Sequence, residues 1–467
     1  METKKSAIIL QEIVAAGKSY IDACLQEDTS VICINRETKR KKLISFKTLY
    51  DNNSQFWLQN ESWEFFLSHD DFDRIEKKVL AQDIEWVPVM EEADSTMPGL
   101  EKSPPGEGFG NEFTNLIAMT ETERAHRMEE CKTRLDSLVF QKPRQEQAVT
   151  EALVETTQDV ILINHISLMN AMNLSGDEAR KQTQSLVDST RDLVKTSSQL
   201  ITENIFHDDL MNTLVSKSNG TTIQHMIRVY LKGLAFLSYY NKLVTSSNII
   251  NKMRISFAKK YHSFYQSLLP HIHPDDLSLE RVFLGGMRAI PENSFCNWAI
   301  GFLIHDIGKA GAVEYHEGEA SYNRDIVMDH VKIGYTSIMN KTNYPADAGL
   351  ITGYHHEYYG DTAGYGFFRV YLEQYRKANP KVRQDFCIAY EVEPVLDYQA
   401  MAFFPAKVLE IIDVFDSLTD SSRKYKKALS TEDALVMMKE EFINKHPKLD
   451  YVLFDLFEKF VLETPSP

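Results

Sequence analysis

The stretch FLIHDIGKAG, residues 302–311, decides how the whole chain is interpreted. Its apolar beginning predicts the end of a buried helix, and Gly308 is the kind of residue that commonly terminates one. His305 and Asp306 stand where the buried helix meets the turn, and Lys309 follows one turn later. An adjacent neutral imidazole and carboxylate can bind one metal ion together, or the carboxylate can bridge two. Alone, the pair is equally compatible with two ordinary buried side chains.

Further histidines occur in three segments with helical patterns. His225, in TTIQHMIRVYLKGLAFL, has apolar residues nearly all round, and His330, in VMDHVKIGYTSIM, borders an apolar stripe. A lone histidine in either setting is more often a core residue than a ligand. His355 and His356 follow the helical pattern ADAGLITGY, in which consecutive side chains diverge by about 100°. Both can be ligands only if they serve different metals or a site at a helix end.

The segment AKVLEIIDVFDSLTD holds the most ambiguous candidate. Asp413 shares a helical stripe with Lys407, Glu410 and Ser417, which favours an ordinary solvated helix face. Asp416 fits either a carboxylate that supports a ligand or an acid that caps a helix. The segment alone does not distinguish a ligand from a surface acid.

Composition restricts the class of protein. The chain has 467 residues, 43% hydrophobic and 25% charged, which fits two or three globular domains. A formal net charge of -16 argues against a surface for DNA, RNA or anionic membrane. The five cysteines form no CxxC pair, so we expect neither disulfides nor a thiolate zinc site, and a reducing cytoplasm fits best. The most apolar run, residues 295–304, is too short to span a bilayer.

Composition shifts along the chain predict four parts. Residues 1–92 mix β-rich pieces (TSVICIN, QFWL, EWVPVM) with the helical pattern DDFDRIEKKVLAQ, which indicates a small α+β domain. Proline, glycine and acids then cluster in a linker, 93–112. Long helical patterns predict a helical connector at 113–204. Residues 205–467 are mainly helical and carry nearly all the chemically suggestive side chains.

Taken in order, these candidates resemble the HD-GYP branch of the HD superfamily of metal-dependent phosphohydrolases. The similarity covers about residues 205–437, with supporting text such as IHDIGKAG, DHVKIGYTSI and KVLEIIDVFDSLTDSSRKY. More weakly, the N-terminal part resembles a small domain that often precedes this catalytic domain in bacteria. The resemblance implies an all-α helix bundle that holds two divalent metals, typically iron or manganese. Its pattern consists of His225, His305, Asp306, Lys309, His330, His355, His356 and Asp413.

The resemblance also implies a role for each residue. Asp306 would bridge the two metals, and Lys309 would hold a phosphate oxygen of the substrate. A metal-bridged hydroxide would then attack phosphorus without a nucleophilic side chain. The family usually opens cyclic di-GMP to the linear dinucleotide, and sometimes further to GMP. One metal would be bound by His225, His305 and Asp413, and the other by His330, His355 and His356.

The chain departs from the family pattern on the substrate side. Thr221 replaces a glutamate that helps some members to bind a third metal, so two metals are expected. Tyr358 replaces the usual arginine after HHE, and Gly364-Tyr365-Gly366 lacks the rigid proline of GYP. We still expect Lys309, Tyr358, Gly364 and Tyr365 to line the substrate-binding wall.

An insert at 367–402 also separates this chain from the family, and it leaves other functions open. The insert can supply replacement cations, form a lid, or bind a partner. One alternative is a non-hydrolytic module that binds a cyclic dinucleotide or a signalling protein; another is an HD hydrolase for a different phosphate ester. Homodimers or a protein partner would then use the N-terminal region or the insert.

Overall fold

The structure, a computed structural model, describes residues 7–9, 24, 29–35, 41–46, 63–68, 115–116, 118–140, 146–172, 174–202, 222–311, 324–359, 385–420 and 428–463. The chain divides into two compact units, Met1–Lys102 and Ser103–Pro467. The second unit is predominantly helical, as predicted. No helix in the described ranges is both long and apolar enough to cross a bilayer.

The first unit contains an antiparallel four-stranded sheet. Its strands are β1 (Ala7–Ile9), β2 (Ser30–Asn35), β3 (Lys41–Ser45) and β4 (Trp63–Ser68), in the order β1-β4-β2-β3. The strand predicted in TSVICIN is confirmed as β2, which pairs Ile32 with Leu43 on one side and with Phe66 on the other. The other predicted elements of this domain, QFWL, EWVPVM and DDFDRIEKKVLAQ, lie outside the described residues, as does the linker at 93–112.

The second unit is built from fourteen described α-helices and one small sheet. In chain order the helices are α1 (Glu121–Phe140), α2 (Glu146–Ala171), α3 (Gly176–Thr202), α4 (Thr222–Ser246), α5 (Ile249–Lys260), α6 (His262–Leu268), α7 (Leu279–Val282), α8 (Glu292–Ile304), α9 (Arg324–Lys341), α10 (Ala346–Tyr354), α11 (Glu393–Leu396), α12 (Phe404–Thr419), α13 (Thr431–Lys439) and α14 (Tyr451–Glu463). Short 3-10 helices occur at Pro274–Asp276 and Ile307–Gly311, and a π-helical turn occurs at Glu440–Asn444.

The long helices α2 and α3 pack directly on the helices that follow. In α3, Leu186, Val187, Leu193 and Val194 are buried, and their spacing puts them on one face of the helix. This face and α2 contact α4, α8 and α9, so the helices share a single hydrophobic core. The long helices predicted for this part of the chain are confirmed. The division between a connector at 113–204 and a catalytic domain at 205–467 stays a prediction.

Helix α8 lies at the centre of this core and leads to the site. Every residue from Trp298 to Ile304 is buried, as the apolar run predicted. Each fully buried side chain of the size of Phe302 or Leu303 contributes about 1.5–3 kcal/mol of hydrophobic stabilisation. The end of α8 is therefore a rigid platform from which His305 and Asp306 extend.

The described end of the predicted insert forms a small parallel sheet. Strands β5 (Phe386–Ala389) and β6 (Ala400–Phe403) pair Phe386 with Ala400 and Ile388 with Ala402, and α11 connects them. The five basic residues of the insert that could have served as replacement cations lie in 367–384, outside the described residues.

Candidate metal centre

The turn after α8 is shaped by a close contact with α9. Helix α8 ends at Ile304, and a 3-10 helix begins at Ile307. Gly308 was expected to stop the helix as a glycine cap, but it is not among the described glycines with positive φ, which are Gly285 and Gly286. A Cβ on Gly308 would lie 1.9 Å from the carbonyl oxygen of His330. Glycine is needed because the backbone of α9 occupies the space of a side chain.

Six predicted ligands converge into two groups that share one aspartate. Within each group every residue offers one nitrogen or oxygen atom, and these atoms lie within 4.8 Å of one another. All six residues are buried. The groups are therefore able to hold metal ions. The first consists of His225, His305 and Asp306, and the second of Asp306, His330, His355 and His356.

Asp413 lies between the two groups. One carboxylate oxygen, Oδ1, is 2.9 Å from Nε2 of His225, and the other, Oδ2, is 3.8 Å from Nδ1 of His356. The side chain is 13% exposed, so its solvated alternative is wrong. All seven predicted metal-binding side chains thus meet in one place, from helices α4, α8, α9, α10 and α12 or the turns that follow them.

The neighbouring charges on α12 are also buried, contrary to the predicted solvated stripe. Lys407 and Glu410 are 2% and 0% exposed. The Lys407 ammonium donates to the backbone carbonyl of Glu357 at 2.6 Å and to Glu410 Oε2 at 2.8 Å. Lys407 and Glu410 do share one face of α12, as predicted. This face is not solvated, however, because it packs under the segment that carries His355 and His356. Pairing replaces the water that these charges would otherwise need.

Hydrogen bonds orient two imidazoles towards the centre. His305 Nδ1 donates to the carbonyl of Phe302 at 2.9 Å, and His355 Nδ1 donates to the carbonyl of Thr352 at 2.7 Å. Because a carbonyl only accepts, the proton is on Nδ1, and Nε2 presents a lone pair. Nε2 of His355 is 3.3 Å from Nε2 of His330. Nε2 of His305 is buried and has no hydrogen-bond partner among the described residues. A buried acceptor of this kind fits a cation.

Burial keeps several imidazoles in the neutral form that binds metals. It lowers the pKa of His305 to about 3, lowers the pKa of His330, and holds that of His356 well below its usual value. Asp306 is the opposite case. Burial alone would raise the pKa of Asp306, but Lys309 and the surrounding imidazoles hold it well below its usual value. These three imidazoles are therefore neutral nitrogen donors beside an anionic oxygen donor at neutral pH. His225 is the exception, because burial alone would lower its pKa but its hydrogen bonds with Asp413 and Asp416 outweigh burial and raise it.

Lys309 is the cation at the edge of this centre. Its ammonium is 2.5 Å from Asp306 Oδ2, and its side chain is 22% exposed. Among the predicted site residues that the structure describes, Lys309 alone is a cationic side chain that is partly exposed. This position allows contact with a ligand that enters from solvent.

The expected substrate-binding wall is only partly described. Tyr358 is partly buried, with its ring 6.2 Å from that of Phe442 and 5.7 Å from the Lys448 ammonium. Gly364 and Tyr365 lie outside the described residues, as does Thr221.

Sequence reasoning missed several residues that surround the centre. Arg228 lies three residues after His225 on α4, and it pairs with Asp416 on α12. The i, i+3 spacing puts Arg228 on the same helix face as His225, and this signal was available in the sequence. His165, on α2, is fully buried, and its Nδ1 donates to Ile161 O at 2.8 Å. Burial lowers the pKa of His165 to about 4, and the charges of Asp306 and Lys309 also act on it. No pattern in α2 distinguished His165 from a core histidine.

Comparison with known proteins gives one match. No family model matches the chain, and no curated protein matches it. Among solved structures the chain is similar to "Bd1817, a HDG"Y"P protein from Bdellovibrio bacteriovorus", with 11% identity and a TM-score of 0.38. The match covers 97% of this chain and 98% of that chain. Similarity of this size does not establish a shared fold, so function is inferred from the geometry of the centre.

Proposed function

We propose that the chain is a hydrolase of phosphate esters that depends on two divalent metal ions. The observation that carries the proposal is the pair of buried ligand groups that share Asp306. Five imidazoles and two carboxylates supply nitrogen and oxygen donors without sulfur, which suits iron or manganese. Nε2 of His305 supports the same proposal, because burying an acceptor nitrogen without a hydrogen-bond donor or a cation is costly.

The proposed ligand set follows the two groups. His225, His305 and Asp413 would hold one metal, His330, His355 and His356 would hold the other, and Asp306, which belongs to both groups, would serve both. When bound, such a pair supplies an activated water and stabilises charge on the phosphoryl group.

The chain's own residues then position the substrate. Asp306 stays ionised because its pKa is low, and it keeps the shared ligand position anionic. Lys309, at the partly exposed edge, donates to a phosphate oxygen of the substrate and stabilises the negative charge that grows there. Because the pKa of His305 is about 3, its imidazole stays neutral at neutral pH and does not repel a bound metal cation.

We propose a cyclic dinucleotide, and cyclic di-GMP in particular, as the substrate. The ordered ligand pattern and its resemblance to the HD-GYP family support this choice. The net charge of -16 disfavours polymeric nucleic acid, whereas a small dinucleotide needs only local positive charge. Tyr358 provides an aromatic ring on the segment that follows the paired histidines, where a base can stack.

The test combines metal analysis with product analysis. Purified protein loaded with Fe²⁺ or Mn²⁺ should contain two metals per chain and convert cyclic di-GMP to the linear dinucleotide or GMP, followed by chromatography. Asp306→Asn should abolish turnover. Asp159→Asn is the matched control, because it breaks a partly buried ion pair with Arg127, at 2.8 Å between α1 and α2, and leaves the ligand set unchanged.

The outcomes separate the alternatives. A loaded protein that leaves cyclic di-GMP intact but hydrolyses another ester in a panel of phosphate compounds retains the reaction class and refutes the substrate. Tight binding of cyclic di-GMP without turnover of any ester supports a non-hydrolytic signalling module instead.

A further inference from the structure

His225 differs from the other oriented histidines in the partner of its Nδ1 atom. His225 Nδ1 donates to Asp416 Oδ2 at 2.9 Å, and on the opposite side Nε2 is 2.9 Å from Asp413 Oδ1. The imidazole is 6% exposed and the Asp416 carboxylate 2% exposed. By contrast, His305 and His355 donate from Nδ1 to uncharged backbone carbonyls.

A buried cluster of charges keeps Asp416 anionic. Arg228 binds it with two nitrogen atoms, Nε to Oδ1 at 3.0 Å and Nη2 to Oδ2 at 2.9 Å. Arg228 Nη2 also donates to Asp420 at 2.7 Å, and the Lys232 ammonium lies 3.8 Å from Asp416 Oδ1. This planar, two-point contact fixes the orientation of the carboxylate as well as its charge. It joins α4, which carries His225, to α12, which carries Asp413.

An ionised Asp416 has two effects on His225. It accepts the hydrogen bond from Nδ1 and so fixes the ring with Nε2 towards Asp413 and the centre. It also polarises the ring more strongly than a neutral carbonyl does, which increases the basicity of Nε2 as a ligand. Asp416 itself is occupied by cations and by His225, so it acts through the imidazole and not as a metal ligand.

We infer that Asp416 and Arg228 are positioning residues that tighten the metal position of His225, His305 and Asp413. The inference rests on the proposed metal-dependent function and extends it to residues outside the ligand set. Loss of either residue weakens this position and leaves the position of His330, His355 and His356 unchanged.

The test is a Mn²⁺ titration of metal-stripped full-length protein, followed by calorimetry and electron paramagnetic resonance. The wild type should bind two ions in two steps, with an uncoupled spectrum after one equivalent and a coupled spectrum after two. Asp416→Asn keeps the size of the side chain but removes its charge. It should weaken one of the two steps about 10–100-fold and leave the other within about 2-fold.

Two further variants keep the test decisive. Arg228→Lys preserves the charge but loses the two-point contact, and it should weaken the same step by a smaller factor. This variant decides the question if Asp416→Asn does not fold. Asp159→Asn, which breaks a partly buried ion pair away from the ligand set, should leave both steps unchanged.

Equal weakening of both steps by Asp416→Asn, or no weakening, would overturn the inference. A wild type that binds two ions but hydrolyses no phosphate ester refutes the proposed function alone, because the titration still measures the effect of Asp416 on metal affinity.

Discussion

Gly308→Ala should damage the centre without removing any ligand. The new Cβ would meet the His330 carbonyl oxygen at 1.9 Å and the backbone nitrogen of Gly334 at 2.7 Å. Real Cβ contacts essentially never fall below 3.0 Å. The turn and α9 must therefore separate by about 1 Å, because both obstructing atoms belong to the backbone and cannot rotate away.

This separation acts on the second metal group, which draws its ligands from both sides of the contact. Asp306 and Lys309 lie on the turn, whereas His330 lies on α9, so a displacement of about 1 Å changes the geometry between Asp306 and the second group. Misplacement of about 1 Å can cost about 10²-fold in rate. Overpacking of this kind also destabilises a fold by about 1–3 kcal/mol. We expect Gly308→Ala to lose the second metal and about 10²-fold in turnover.

Metal content, turnover and denaturant unfolding of Gly308→Ala would be compared with Gly349→Ala. A Cβ on Gly349 would meet Met339 Sδ at 2.6 Å, but that atom is near the end of a flexible side chain and can move. Gly349→Ala should therefore keep both metals and most of the activity. Two bound metals and wild-type turnover in Gly308→Ala would refute the argument from close packing.

Three further results are expected. Lys309→Ala should keep two metals but lower turnover about 10²–10³-fold, since it removes a donor to the developing charge; unchanged turnover in a steady-state assay contradicts its role. Removal of metal by a chelator should lower the thermal midpoint, because a ligand held only by the folded state at 100 times its Kd adds about 2.7 kcal/mol; an unchanged midpoint argues against structural binding. Burial raises the pKa of the Asp450 carboxyl from 3.8 to about 6, so the folded state holds this proton more tightly than the unfolded state does. The free energy of unfolding therefore falls by about 3 kcal/mol as pH rises between these values. Asp450→Asn should remove that dependence in denaturant unfolding at pH 4 and pH 7, and an identical pH dependence would show that the group does not contribute.

The ligand set could be predicted from sequence because each candidate lies at a fixed place on a helix. His355 and His356 meet at the end of α10, with ring centroids 4.0 Å apart, which is the arrangement that consecutive ligands required. The apolar run likewise predicted a buried helix that leads to His305 and Asp306, and α8 ends at Ile304, directly before them. Periodicity locates such residues well because helix geometry determines where their side chains lie.

Contacts between distant segments could not be predicted in the same way. Lys407 and Glu410 have the spacing of a solvated face, and only the packing of α12 against Glu357 shows that they are buried. Gly308 was expected to end a helix, but its role depends on the backbone of α9, more than twenty residues away. One sequence does not specify which faces meet.

The same limit applies to α2 and α3, which were predicted only as a connector. Asn164 on α2 and Thr190 on α3 form a buried hydrogen-bonded group with Tyr344, which lies between α9 and α10. The distances to the Tyr344 hydroxyl are 2.9 Å from Thr190 and 2.6 Å from Asn164. These polar residues support the segment between His330 and His355, and nothing in the helical pattern of α2 or α3 indicates their partner.

Anomalous diffraction from crystals of the Mn²⁺- or Fe²⁺-loaded protein tests the central claim most directly. The proposed function predicts two peaks on either side of Asp306, one in contact with His225, His305 and Asp413, the other with His330, His355 and His356. Absence of metal from both groups, or peaks bound only by other side chains, would contradict a metal-dependent hydrolase at this centre.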